Sequence, residues 1–301
     1  MEENLELPKV EIAGNTQPMA NTQPKASPLS NYYRQPKIYV SLPSNGEFYP
    51  EGSLDKSEDG KYAVYSMTAK DELMLKTPDA LMNGQSTVDV IQSCIPAIKN
   101  AWNLPSLDLD ACLVAIRVAT YGEKMDIDTN CPKCNEELRF EKDLADWLGT
   151  VANYRYPTVI QHGELVFHIE PLSYRQVTKA GLMKIEQEKI WNIVNSTELT
   201  DEEKLDQFGV SFTKLTKFTV DGIVKLVRKI DTPHGSEENR DEIEKFITQG
   251  PKEMFDALNE KLTSVKDDLA LTLKGAKCSK CENVFDVGIT MDQADFFVAR
   301  S

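Results

Sequence analysis

Two short runs carry the residue types that do chemistry. Cys131-Pro-Lys-Cys134 and Cys278-Ser-Lys-Cys281 both read Cys-x-Lys-Cys, followed by a polar stretch and then Phe140 or Phe285. A turn of this kind can aim backbone amides at two thiolate sulfurs, and two such knuckles supply the four sulfurs that a closed, tetrahedral Zn2+ takes. Lys133 and Lys280 would offset part of the charge of four thiolates around a divalent ion. The expected ligands are Cys131, Cys134, Cys278 and Cys281, holding one structural Zn2+ per chain. Ribbon-type sites usually separate their pairs by roughly 15–20 residues. Here 143 residues intervene, Asn135 to Lys277. That spacing makes sense if the intervening chain is an insertion whose start and end the metal fastens together. Closing so long a loop removes unfolded-state entropy, although the gain grows only logarithmically with length.

Other uses of the thiols were weighed against this one. A redox dithiol needs its pair at a helix N-terminus within a βαβ unit, and neither pair has that pattern. Unmetallated thiols are the plainest alternative. A catalytic zinc needs an open position and usually a His or carboxylate ligand, and His162, His168 and His234 form no metal-spaced set. No phosphate loop, dinucleotide-binding glycine run or nucleophile elbow occurs. The acidic pairs Asp267-Asp268 and Glu202-Glu203 are sequence neighbours, so they diverge around a helix axis and suit solvated faces. Trp102, Trp147 and Trp191 are scattered. No enzyme is expected. Cys94 and Cys112 fall on apolar helical faces and are expected in the core.

Composition narrows the partners. With 34 basic and 48 acidic residues the net charge is −14, which repels nucleic-acid phosphates and anionic membranes. No apolar run approaches the roughly 20 residues needed to cross a bilayer. The start, MEENLELPKVEI, lacks the basic and apolar stretches of a signal peptide. The reading is cytosolic, where cysteines stay reduced.

The elements that must position the cysteines follow from pattern. Residues 1–35 hold a near-repeat, Asn15 to Pro18 and Asn21 to Pro24, and are expected to be a disordered tail. Lys37–Val40 and Tyr62–Met67 read as strands, separated by a turn-rich stretch with Asn45-Gly46, Pro50 and Gly52. Capping boxes at Thr68/Asp71 and Ser86/Asp89 start two helices, the second interrupted at Pro96. A third helix spans about Leu107 to Tyr121 and stops at Gly122. Leu165–Ile169 reads as a strand after a turn at His162-Gly163. From Ser173 to about Lys274 the pattern is helical almost throughout. Capping boxes stand at Ser173/Gln176 and Thr200/Glu203, and one helix carries Ile223, Val224 and Val227. Another starts at Pro251 and carries Phe255, Leu258, Leu262, Val265 and Leu269.

The runs SLPSNGEFYPEG (Ser41–Gly52), YSMTAKDELMLKTPDALMNGQSTVDVIQSCIP (Tyr65–Pro96) and ATYGEKMDIDTNCPKC (Ala119–Cys134) together resemble the T4-type bacteriophage baseplate hub assembly proteins. The likeness is closest over residues 36–150 and looser to the final knuckle. It implies a tail baseplate or hub morphogenesis factor, a chaperone or a structural component, that acts by binding other baseplate, hub or tail proteins. It also implies a place in the host cytoplasm during assembly, or in the virion tail baseplate.

The expected fold is α+β and mostly α-helical. A disordered tail (1–35) precedes a small N-terminal mixed α/β domain with the first knuckle (36–172). A helical lobe (173–274) is inserted next, and a second knuckle and terminal strand (275–301) pack back on the first. The expected function is protein–protein interaction in phage baseplate assembly, with a structural Zn2+ and with no nucleic acid, membrane or small-molecule substrate as partner. The alternative is a zinc-ribbon nucleic-acid-binding protein.

Overall fold

The computed structural model describes residues 32–76, 84–179 and 220–289, together with 29, 200, 202, 203, 205, 209, 296 and 297. Met1–Arg34 and Gln35–Ser301 are separate compact units, and every named element belongs to the second. Most of the tail expected at 1–35 therefore lies outside the described residues.

Strand β1 (Ile38–Ser41) pairs antiparallel with β2 (Lys61–Val64). The loop between them bends at Asn45, Gly46 and Gly52, all with positive φ, as its Asn-Gly and Gly signals indicate. Helix α1 (Ala69–Leu75) starts under the expected capping box: the Asp71 amide donates to the Thr68 hydroxyl, and the Thr68 amide donates to the Asp71 carboxylate. Helix α2 (Gln85–Cys94) corrects the sequence reading at its start. Ser86 and Asp89 form no capping box. Gly84, at φ 77°, begins the helix, and the buried Ser86 donates its hydroxyl to the Met74 carbonyl. A glycine adopts that left-handed conformation without a Cβ clash, so the turn moves the helix start one residue upstream. The helix ends at Cys94, ahead of Pro96.

Helix α3 (Ser106–Tyr121) stops at Gly122 as expected. It is buried on every side, from Leu107 and Asp108 through Ala111–Ala119. A helix apolar all round belongs inside a core rather than on its surface. Around it lies a first apolar cluster: Val40, Leu42 and Val64 from the β1–β2 pair, Ile91 and Ile95 from α2, and Leu144 and Trp147 from α4 (Leu144–Val151). Cys94 and Cys112 sit in this cluster, fully buried.

A second cluster lies on a four-stranded antiparallel sheet in the order β5-β6-β7-β8: Val159–His162, Leu165–Ile169, Val227–Thr232 and Gly235–Glu237. Helices α5 (Arg240–Gln249) and α6 (Lys252–Leu269) cover it, burying Ile243, Met254 and Leu258 against Phe167, Ile169 and Ile230. The stretch after Ser173 is thus less helical than its pattern suggests. Residues 220–226 are helical, but Val227 opens strand β7. The β-branched Val227, Ile230 and Thr232, followed by Pro233-His234-Gly235, make a hairpin whose pairing outweighs the helical spacing of Ile223, Val224 and Val227. The capping boxes at Ser173/Gln176 and Thr200/Glu203 both form. The architecture is a mixed α/β one with several small antiparallel sheets, and α6 links its parts. Leu258 lies in the second cluster, whereas Val265 and Leu269 lie in the first.

Candidate metal centre

Both cysteine pairs stand at the tips of antiparallel hairpins. In the first, β3 (Lys124–Asn130) pairs with β4 (Glu137–Asp143), Ile127 facing Phe140. In the second, β9 (Thr272–Lys277) pairs with β10 (Val284–Gly288), Ala276 facing Phe285. Alternation in Met125, Ile127 and Thr129 is the two-residue period of a half-buried strand. It was the available signal for β3, which the sequence reading did not assign.

The two tips are copies of one turn. The Cys131 amide donates to the Glu136 carbonyl (2.9 Å) and the Asn135 amide to the Cys131 carbonyl (2.8 Å). In the second knuckle the Cys278 amide donates to the Asn283 carbonyl (2.9 Å) and the Glu282 amide to the Cys278 carbonyl (3.0 Å). The residue after each second cysteine is left-handed, Asn135 at φ 56° and Glu282 at φ 57°. Such a turn folds the chain back around its first cysteine and brings both sulfurs to one side.

All four sulfurs lie within 4.8 Å of one another. Cys131 Sγ is 3.6 Å from Cys281 Sγ, and Cys134 Sγ is 3.6 Å from Cys278 Sγ. A disulfide needs about 2.05 Å, so these are separate thiols. Four sulfurs placed about 2.3 Å from a central Zn2+ would be about 3.8 Å apart. The observed separations are close to that tetrahedron. Cys131 and Cys278 are buried, and Cys134 and Cys281 are half-buried.

The electrostatics favour thiolates that need a cation. Burial opposes ionisation of Cys131, but the Cys134 and Lys133 amides and the adjoining sulfurs outweigh it and bring the thiol down to about 6. The Cys281 amide, working against burial and helped by the Lys280 amide, lowers Cys278 as well. Cys134 goes the other way: the Glu136 amide favours its thiolate, yet burial and the three surrounding sulfurs push it up to about 12. Four sulfurs this close cannot all be ionised without a positive charge among them. Amide donors, thiol chemistry and spacing all fit a bound metal ion.

A family model described as T4 bacteriophage base plate protein matches residues 36–298. The chain belongs to that family. No curated protein and no solved structure matches it. Membership gives this baseplate protein a phage tail setting and other phage structural proteins as its contacts. It points to a structural rather than a catalytic part. Among the described residues no helix is long and apolar enough to cross a membrane.

Elsewhere in the baseplate protein, polar groups serve packing. His168 lies 2.6 Å from Asp231, which also accepts from Ser236 (2.5 Å) and pairs with Lys229 (2.9 Å). Ser236, Lys229 and His168 hold the Asp231 carboxyl well below the usual range. The serine donates to the carboxylate and not to the histidine, so this is no nucleophile relay. Lys280, expected to offset thiolate charge, reaches across the hairpins to Glu136 at 2.6 Å. Glu136 itself went unnoticed in the sequence, because only folding brings it opposite a lysine 144 positions away.

Proposed function

We propose that this chain is an assembly protein of the phage baseplate hub that works by protein–protein contact, as a chaperone or as a structural component. A structural Zn2+ on Cys131, Cys134, Cys278 and Cys281 holds it in shape. The convergence of four sulfurs at the tips of two matched hairpins carries the zinc part, and the family match over most of the chain supports the baseplate part. Zinc suits four thiolates in a tetrahedral array and takes no further ligand there, so it stabilises and does not catalyse. The cysteines do the holding: Cys131 and Cys278 from inside the hairpins, Cys134 and Cys281 from the rim. Nucleic acid has no place in this reading, since acidic side chains such as Asp126, Asp128, Glu137 and Glu141 line the first hairpin.

Elemental analysis of the purified protein with Cys131→Ser and Cys278→Ser tests the shared site. One zinc per chain, lost in either variant, is the expected result. Half of the metal retained would mean two separate sites. Pull-down with hub or tail-tube proteins tests the assembly part: a complex is expected, and no complex together with normal tails after deletion of the gene would refute it. A salt-dependent shift with DNA or RNA would move the assignment to the zinc-ribbon alternative.

A further inference from the structure

Arg117 is a buried cation with an incomplete set of partners. It stands in the second half of α3, within the first core, and is 6% exposed. Its Nε donates to the Phe296 carbonyl at 3.0 Å, and Tyr121, one turn on, donates its hydroxyl to the Phe297 carbonyl at 2.9 Å. The two phenylalanine rings are buried in the same cluster and meet edge to face at 5.1 Å. A pair of main-chain acceptors flanked by two buried rings is how a groove reads an extended peptide: backbone bonds give affinity and side-chain pockets give specificity. The segment that fills the groove leaves it unsatisfied. Arg117 Nη1 is buried without a hydrogen-bond partner. Among the described residues no carboxylate forms an ion pair with the guanidinium, and burial lowers its pKa. The faces of Phe296 and Tyr121, at 5.6 and 5.8 Å from the guanidinium carbon, offset part of that cost. A buried charge nevertheless remains expensive until an opposite charge meets it.

We propose that Arg117 and Tyr121 form an exchangeable docking socket: Phe296-Phe297 plugs it in the free protein, and a partner peptide with an aromatic pair followed by a carboxylate displaces the plug. The proposal rests on the assembly reading above for its setting. This chain carries Asp295 before its pair and still leaves Nη1 unsatisfied, so the carboxylate belongs after the pair, where this chain has Val298. The same argument selects a partner over a second copy, which would bring the identical, incomplete plug.

The test uses the full chain carrying Phe296→Ala and Phe297→Ala, which empties the socket. Two labelled peptides are titrated into it: residues 290–301, and the same peptide with Val298→Glu. A charge-assisted hydrogen bond to a buried guanidinium should make the glutamate peptide about tenfold tighter or more. That gap should vanish when Arg117→Gln is added. Neither peptide binding, equal binding, or a gap that survives Arg117→Gln would overturn the proposal. Tighter binding of the unaltered peptide would assign the socket to a second copy and overturn it as well. Should the emptied chain fail to fold, hydrogen exchange on the wild type decides. The Phe296 and Phe297 amides should open at least about a hundredfold more readily than those of α3, as an exchangeable plug requires. Joint exchange with α3 would overturn it. Peptide binding can fail while pull-down succeeds, so loss of the socket leaves the assembly reading standing.

Discussion

Asp108 is a buried carboxylate whose partners all come from one loop. It accepts from the Ser44 amide (2.8 Å), the Ser44 hydroxyl (2.5 Å) and the Tyr49 hydroxyl (2.9 Å), fastening the 42–49 loop to the first turn of α3. Burial raises its carboxyl to about 6, although those three donors favour the charged form. The folded state therefore keeps a proton that the unfolded chain releases near pH 4. The stability this lends is full below about pH 4 and is lost as pH rises through about 6. Relative to Asp108→Asn, the wild type should lose about 3 kcal/mol between pH 4 and pH 7 in urea titrations. A pH-independent difference would mean the carboxyl titrates near its ordinary value. The knuckles give a second prediction at this scale. Asn135 holds a left-handed turn that a β-branched side chain resists, so Asn135→Val should cost about 1–2 kcal/mol in thermal melts of the metal-loaded protein. Both residue types were legible in sequence, but their roles were not. Asp108 reads as one more acid on a helix until Ser44 and Tyr49 arrive from a distant loop.

The two cysteine hairpins differ from the other elements in how little they bury. Ile127, Ala276, Cys131 and Cys278 are buried, but none of them belongs to either large apolar cluster. Each hairpin is a separate two-stranded sheet, and such a sheet is marginal in water without other support. A bound metal would supply that support, since its binding free energy becomes folding free energy for the hairpins. Chelation should therefore remove hydrogen-exchange protection from 124–143 and 272–288 while α3 stays protected. Loss of protection across the whole chain at once would show that the hairpins are integral to the cores. At this scale local pattern was a good guide where it stood alone: β6, α3, and the capping boxes at Thr68, Ser173 and Thr200 fall where their residues place them. It failed where two signals competed. Val227 satisfies helical spacing and β-propensity equally, and only its pairing with Ile169 across the sheet decides.

Across the molecule, α6 is the member that makes two clusters behave as one body. Its first half packs on the four-stranded sheet and its second half on the α3 core. Leu258→Ala, at a fully buried position, should cost about 2–5 kcal/mol. Because α6 spans both clusters, unfolding followed by tryptophan fluorescence and by far-UV circular dichroism should stay coincident in that variant. Separate transitions would show that the clusters unfold independently. What the sequence determined unaided was chemistry with a local cause: two Cys-x-Lys-Cys turns, the caps, the strand and helix periods, and the acidic balance. Each of these depends on residues within a few positions of one another. Tertiary structure alone decided which distant groups meet. Two sulfur pairs more than 140 residues apart lie within 4.8 Å, Lys280 reaches Glu136, and Arg117 grips Phe296. Those meetings depend on the path of the whole chain, which no local window contains.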